Sequence, residues 1–132
     1  MFGFVKRRRM TNLMNFIVDE IYRQADANNL YACELDNTDP YCIKISVAMR
    51  NNLTINLLIT IEMDKSSKTV KVTSEYATSL GKSAMETIHR QHIKPTRSYT
   101  YDLFMYGEPA VKEDISSNLK RWMDLKTLSY LL

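Results

Sequence analysis

Residues 53–64 alternate between apolar and polar side chains, and this alternation constrains the fold more than any other feature of the chain. Leu58 is the one apolar residue out of phase. A period of two is that of a β-strand with one buried face. The same alternation over residues 43–50, and again at Val70 and Val72, predicts a strand on either side. We therefore expect three consecutive strands to form the core sheet.

The pattern also predicts the register of these strands, because residues paired directly across two strands lie on the same face. Pairing Met49 with Leu53 leaves a three-residue loop between the first two strands. Pairing Met63 with Val70 leaves a four-residue loop, 65–68, between the second and the third. The result is an antiparallel meander.

An amphipathic helix is predicted before the sheet, where apolar residues recur at steps of three and four over residues 11–28. Thr11 or Asn12 can cap its first turn, and the Asn28-Asn29 pair suits a left-handed stop. Residues 30–41 contain Asp, Asn and Pro and are predicted to form a loop, held at its ends by its two tyrosines, Tyr31 and Tyr41.

After the meander we expect a helix over residues 83–93, a fourth strand over 98–106 and a last helix over 110–130. The predicted fold is α+β, with the order α-β-β-β-α-β-α. A mostly antiparallel sheet of about four strands would carry its helices on one face, because only one face is apolar.

The length of 132 residues predicts one domain, residues 11–132, preceded by a basic arm, residues 1–10. Lys6, Arg7, Arg8 and Arg9 supply four of the 18 basic residues, which leaves 14 against 15 acidic ones. The body is therefore close to neutral. Acidic residues follow the arm too soon for a membrane span, which needs about 20 apolar residues, so we expect a cytoplasmic protein.

No cofactor or metal is expected. Cys33 and Cys42 are predicted to be unbridged thiols, since two cysteines and no secretory leader favour a reducing compartment. His89 and His92 share a helix face, which is the spacing of a metal pair. However, lysines and arginines surround them, and the cysteine spacing is unlike that of structural zinc sites.

Catalysis is not expected either. The three glycines, at positions 3, 81 and 107, cannot build a phosphate-binding loop of the known patterns. Asp36 and Asp39 form an acidic loop with Glu34, and such loops are usually solvated surface. The sequence therefore favours a non-enzymatic protein.

The leading hypothesis is a small binding module that acts on another protein as an adaptor, chaperone or inhibitor, alone or as a homodimer. Its basis is an excess of aromatic residues near the fourth strand and the last helix, because tyrosine and tryptophan commonly anchor protein interfaces. The predicted anchors are Tyr99, Tyr101, Phe104, Tyr106, Trp122 and Tyr130. A composition rich in Asn, Tyr and Met without a motif is also compatible with a viral or mobile-element accessory factor.

The alternative hypothesis is a nucleic-acid-binding protein that contacts phosphates through two cationic clusters. These are Lys6, Arg7, Arg8 and Arg9 in the arm and Lys82, Arg90, Lys94 and Arg97 around the second helix. The near-neutral body argues against this hypothesis, because dedicated nucleic-acid binders are usually basic throughout.

The start of the second helix, Gly81-Lys82-Ser83, is similar to the basic helix start of double-stranded-RNA-binding domains, and the order of the first five elements resembles theirs. Residues 84–87 depart from that pattern, because they replace the expected basic residues with Ala, Met, Glu and Thr. The element order is also similar to that of small secretion-chaperone-like domains. Neither resemblance rests on a diagnostic residue.

Overall fold

A computed structural model describes residues 2–35, 38–64, 66, 69–91, 96–100 and 107–132, with the backbone alone for residues 2–10, 97 and 100. The elements in chain order are α1 (Phe2–Ala27), β1 (Leu30–Glu34), β2 (Cys42–Met49), β3 (Ile55–Asp64), β4 (Thr69–Thr78), α2 (Lys82–Gln91), β5 (Thr96–Thr100), α3 (Glu108–Trp122) and α4 (Leu125–Leu131). The predicted α+β class is confirmed. The order differs from the prediction by one extra strand, β1, and by a break in the last helix.

The five described strands form one antiparallel sheet in the order β1-β2-β3-β4-β5, so each strand pairs with its neighbour in sequence. The predicted pairing of Met63 with Val70 is confirmed. The predicted pairing of Met49 with Leu53 is wrong: Ala48 lies opposite Asn56, which shifts the register by two residues. A shift of two keeps every side chain on its predicted face, so the apolar pattern could not distinguish the two registers.

One face of the sheet carries the core. Ile45, Leu57, Ile59 and Ile61 are fully buried there, together with Val70 of β4. Helix α1 covers this face through contacts with β1, β3 and β4, and α4 contacts β2. The opposite face of β3 and β4 carries mainly polar side chains, which are exposed or half-buried. The predicted layer of helices on one face is therefore present.

Helix α1 begins at Phe2 rather than at the predicted Thr11. Residues 6–10 are Lys, three Arg and Met, all of them good helix formers, so the helix continues through the basic segment. Thr11 and Asn12 are exposed positions inside the helix instead of caps. At the other end Asn29 takes a left-handed conformation with φ 56°, as predicted.

The predicted loop over residues 30–41 contains a strand that the sequence analysis missed. Leu30–Glu34 pairs with β2 in an antiparallel register that places Tyr31 opposite Ala48. The Tyr31 side chain does not hold a loop against the body, because it is 56% exposed.

The C-terminal half differs from the prediction mainly in its boundaries. Helix α2 covers most of the predicted range 83–93, and β5 covers the start of the predicted strand 98–106, of which residues 101–106 lie outside the described part of the chain. The predicted last helix is split between α3 and α4, where the Asp124 side chain accepts a hydrogen bond from the Thr127 backbone N–H. Near this break the buried Tyr76 hydroxyl donates to the Trp122 carbonyl at 2.8 Å.

Candidate functional site

Two of the predicted aromatic anchors, Tyr99 and Trp122, belong to the core of the domain. Tyr99 is 4% exposed, and its hydroxyl donates to Asp114 Oδ2 at 2.8 Å, which ties β5 to α3. Trp122 is 3% exposed. Neither ring is therefore available to a partner in this conformation, which corrects the expectation that both lie at the surface.

The other predicted anchors divide into two groups. Tyr130 is 80% exposed near the end of α4, beside the exposed Leu131 and Leu132. Tyr101, Phe104 and Tyr106 lie outside the described residues. Of the three anchors that the structure describes, Tyr130 alone is therefore at the surface.

Among the predicted phosphate-binding residues, side chains are described for Lys82 and Arg90, and both are exposed on α2. The backbone of residues 6–9 lies in α1, and the backbone of Arg97 pairs opposite Val72 in β5. Lys94 lies outside the described residues. Whether residues 1–10 act apart from the body stays a prediction.

The outer strand β1 presents a surface that the sequence analysis did not find. Tyr31 is 56% exposed, and Leu35, immediately after the strand, is 44% exposed. The Leu35 backbone N–H donates to the Lys44 carbonyl at 2.9 Å, so residue 35 points its backbone groups toward β2. Because these directions alternate along a strand, Ala32 points its N–H and C=O away from the sheet. In the described sheet, β1 has β2 as its one neighbour.

Helix α1 lies beside this strand. Tyr22 is 36% exposed, and it forms a hydrogen bond with the backbone of Glu34. Partial burial, followed by the nearby Glu34 and Cys33, raises the pKa of the Tyr22 hydroxyl. Val18 lies one turn earlier on the same helix face and packs against the core. We call the surface formed by Val18, Tyr22, Tyr31, Ala32 and Leu35 the β1 edge.

The surroundings of the β1 edge are acidic. Residues 11–43 contain six acidic residues and one basic residue, Arg23. Asp19, Asp26, Glu34 and Asp39 are exposed in the structure. Arg23 is already engaged with Glu20. The helix side of the β1 edge is therefore negatively charged, whereas its open side carries the exposed Lys44 opposite Leu35.

A buried carboxylate on the other side of α1 has a structural role. Glu20 is 6% exposed and accepts hydrogen bonds from the Arg23 guanidinium and from Gln24 Nε2. The Arg23 hydrogen bond is the largest of the causes that lower the pKa of Glu20 to about 2, whereas burial opposes it. Gln24 Nε2 also donates to the Ser116 carbonyl at 2.9 Å, so this cluster joins α1 to α3.

Both cysteines are unbridged. Cys33 lies opposite Ser46, four residues along β2 from Cys42, which corresponds to about 13 Å and exceeds the reach of a disulfide. Within the described residues, His, Cys, Asp and Glu side chains do not gather in threes or more at a point where they could ligate a metal ion. Among the described helices, none combines the length and the apolar character needed to span a membrane.

Comparison with known proteins adds no functional information: no family model matches the chain, and neither the curated proteins nor the solved structures give a significant match. The surfaces described above are consequently the basis for a functional proposal.

Proposed function

We propose that this protein is a non-enzymatic binding module that acts on another protein through the β1 edge. The observation that carries the proposal is the pair of exposed side chains Tyr31 and Leu35, on the same face at an outer strand and just after it. Natural sheets commonly protect such strands with Pro, Lys or a covering segment. The β1 sequence contains neither Pro nor Lys, and an exposed strand of this kind is a common site for adding a strand from a partner.

The character of the surface favours a protein partner over a nucleic acid. Tyr22 and Tyr31 are of the type that anchors protein interfaces, since tyrosine buries a large area at a small cost in conformational entropy. The surrounding Asp19, Asp26 and Glu34 would repel phosphates. An adaptor, small chaperone or inhibitor fits this chemistry, and a reducing cytoplasm suits its two thiols.

A capture experiment with matched variants tests the proposal. Immobilised wild-type protein would be compared with Tyr31→Ala and Leu35→Ala in nuclease-treated lysate at several salt concentrations. Leu53→Ala serves as the matched control, because Leu53 is 75% exposed in the loop between β2 and β3. Tyr130→Ala tests the C-terminal anchor separately.

We expect the wild type, Leu53→Ala and Tyr130→Ala to retain the same protein. Tyr31→Ala and Leu35→Ala should each weaken its binding at least about tenfold, as expected for residues near the centre of an interface. Equal retention by all variants, or recovery of nucleic acid alone, would contradict the proposal. If Tyr130→Ala alone loses the partner protein, the binding surface lies on α4 instead.

Nucleic-acid binding is the second candidate, and one observation favours it. The backbone of residues 6–9 lies in helix α1, so these four basic residues fall within about one turn of the helix. The exposed Lys82 and Arg90 on α2 supply further positive charge. The salt dependence described in the Discussion distinguishes this candidate.

A further inference from the structure

We infer that the partner segment at the β1 edge is an extended, cationic strand with alternating apolar residues, which adds beside β1 as a sixth strand of the sheet. This inference rests on the proposed function and specifies the partner chemistry. It follows from three features of the β1 edge: the directions of its backbone N–H and C=O groups, the side chains on its two faces, and its charge.

The backbone of β1 offers a short pairing site. Ala32 directs its N–H and C=O outward, and Leu30 does so by the same alternation. The Glu34 backbone forms a hydrogen bond with Tyr22, so an added strand cannot pair with β1 beyond this residue. An added strand therefore gains few backbone hydrogen bonds, so its affinity must come largely from its side chains.

The side chains of an added strand would meet two different surroundings, because successive residues point to opposite faces. On the helix side they would lie beside Tyr22, which has the exposed Asp19 and Asp26 three and four residues away on the same helix, so a cationic residue is favoured there. On the open side they would lie beside Tyr31 and Cys33, which are exposed. An alternating segment suits both sides, with its cationic side chains on the helix side near Asp26 and Glu34 and its apolar side chains on the open side beside Tyr31.

The charge of the region selects a cationic segment over a second copy of this chain. The exposed acids on the helix side of the β1 edge are Asp19, Asp26 and Glu34, so a strand that directs Lys or Arg to that side is complementary. The exposed Lys44 lies opposite Leu35 on the open side, where the apolar residues of the segment would lie. Pairing two β1 strands would instead bring the exposed acids Asp26 and Glu34 of both copies into one interface. In addition, β1 is five residues long, which is short for a stable dimer interface of about 1,200 Å² or more.

The test uses two synthetic probes of about eight residues, a length typical of a strand. One peptide alternates Lys and Val, and the other alternates Glu and Val. Fluorescence anisotropy of the labelled peptides gives their Kd for the wild-type protein. We expect the Lys peptide to bind with a Kd that rises with salt, and the Glu peptide to bind at least about tenfold more weakly.

A charge-reversed variant makes the test specific. Asp26→Lys combined with Glu34→Lys should reverse the preference, so that the Glu peptide binds more tightly than the Lys peptide. The matched control combines Glu62→Lys with Glu75→Lys, two exposed residues on the open face of β3 and β4. This control should keep the wild-type preference.

The backbone is tested by Ala32→Pro, which removes an outward N–H without removing a bond to β2. This variant should weaken binding of the Lys peptide at least about tenfold, and circular dichroism reports whether the variant folds. Should it fail to fold, the charge-reversed variant still decides the question.

Equal binding of both peptides, or a preference that survives charge reversal, would overturn the inference. So would light scattering that shows a dimer lost in Tyr31→Ala, since the occupant would then be a second copy. If neither peptide binds while capture of a protein still depends on Tyr31, the cationic strand is refuted and the proposed function stands. If capture is also independent of Tyr31, both are refuted.

Discussion

Replacing Glu20 by Gln should destabilise the domain in a pH-dependent manner. The carboxylate is 6% exposed, and it accepts hydrogen bonds from Arg23 and Gln24. Its pKa falls from 4.5 in the unfolded chain to about 2 in the folded protein. At about 1.4 kcal/mol per pKa unit, this difference corresponds to an upper limit of about 3.5 kcal/mol at neutral pH. The Arg23 side chain is 65% exposed, so solvent screening should reduce the measured value to about 2 kcal/mol.

The direction of the pH dependence follows from the lowered pKa. A carboxylate whose pKa is lower in the folded state contributes its full stabilisation above the unfolded pKa of 4.5 and loses it as the pH falls toward 2. By the same relation, about 1 kcal/mol or less should remain at about pH 3. The Gln variant lacks this titration, so the difference in stability between the two proteins should shrink on acidification.

Urea denaturation of both proteins at neutral pH and near pH 3 measures the effect. Glu75→Gln, at an exposed position on the open face of β4, is the matched control and should change the free energy of unfolding by less than about 0.5 kcal/mol. A difference for Glu20→Gln that is the same at both pH values would refute the assigned role of the carboxylate charge.

Two further predictions concern the sheet and the basic segment. Ile59→Asp should unfold the domain, because Ile59 is fully buried and an unpaired buried carboxylate costs several kcal/mol. Thr60→Asp, on the open face, should be tolerated. Similar melting temperatures for the two variants would contradict the assigned faces. Deleting residues 1–9 should leave capture of the partner protein unchanged. If nucleic acid is the ligand, the wild type should instead show a slope of log K against log salt of roughly −3 to −4, which the deletion abolishes.

The faces of the strands were predictable from the sequence, whereas the strand β1 was not. Inward apolar residues repeat with period two along the ten positions of β3, and Val70 and Val72 continue the pattern in β4, so the faces of these strands are unambiguous. In β1 the inward positions are Leu30, Ala32 and Glu34, of which Leu30 alone is large and buried. A short edge strand of this kind is defined by its pairing with β2 rather than by its own alternation.

The β1 edge could not be predicted from the sequence, because it depends on β1. The burial of the aromatic residues was also predicted only in part. Sequence alone does not reveal that the Tyr99 hydroxyl donates a hydrogen bond to Asp114 on another element. This bond allows the ring to be buried without an unsatisfied polar group. The acidic character of residues 11–43 was readable from composition. Its position beside an outer strand became apparent only once β1 was known.

The order of the strands has a consequence for how the domain forms. The first four strands pair with their neighbours in sequence across short loops at a small entropic cost, whereas the connection from β4 to β5 contains α2. The helical layer is different, because the bond from Gln24 to the Ser116 carbonyl joins residues 92 positions apart. Local pairings therefore assemble first, and the docking of α1 against α3 comes late, when the sheet has already brought the two distant helices together.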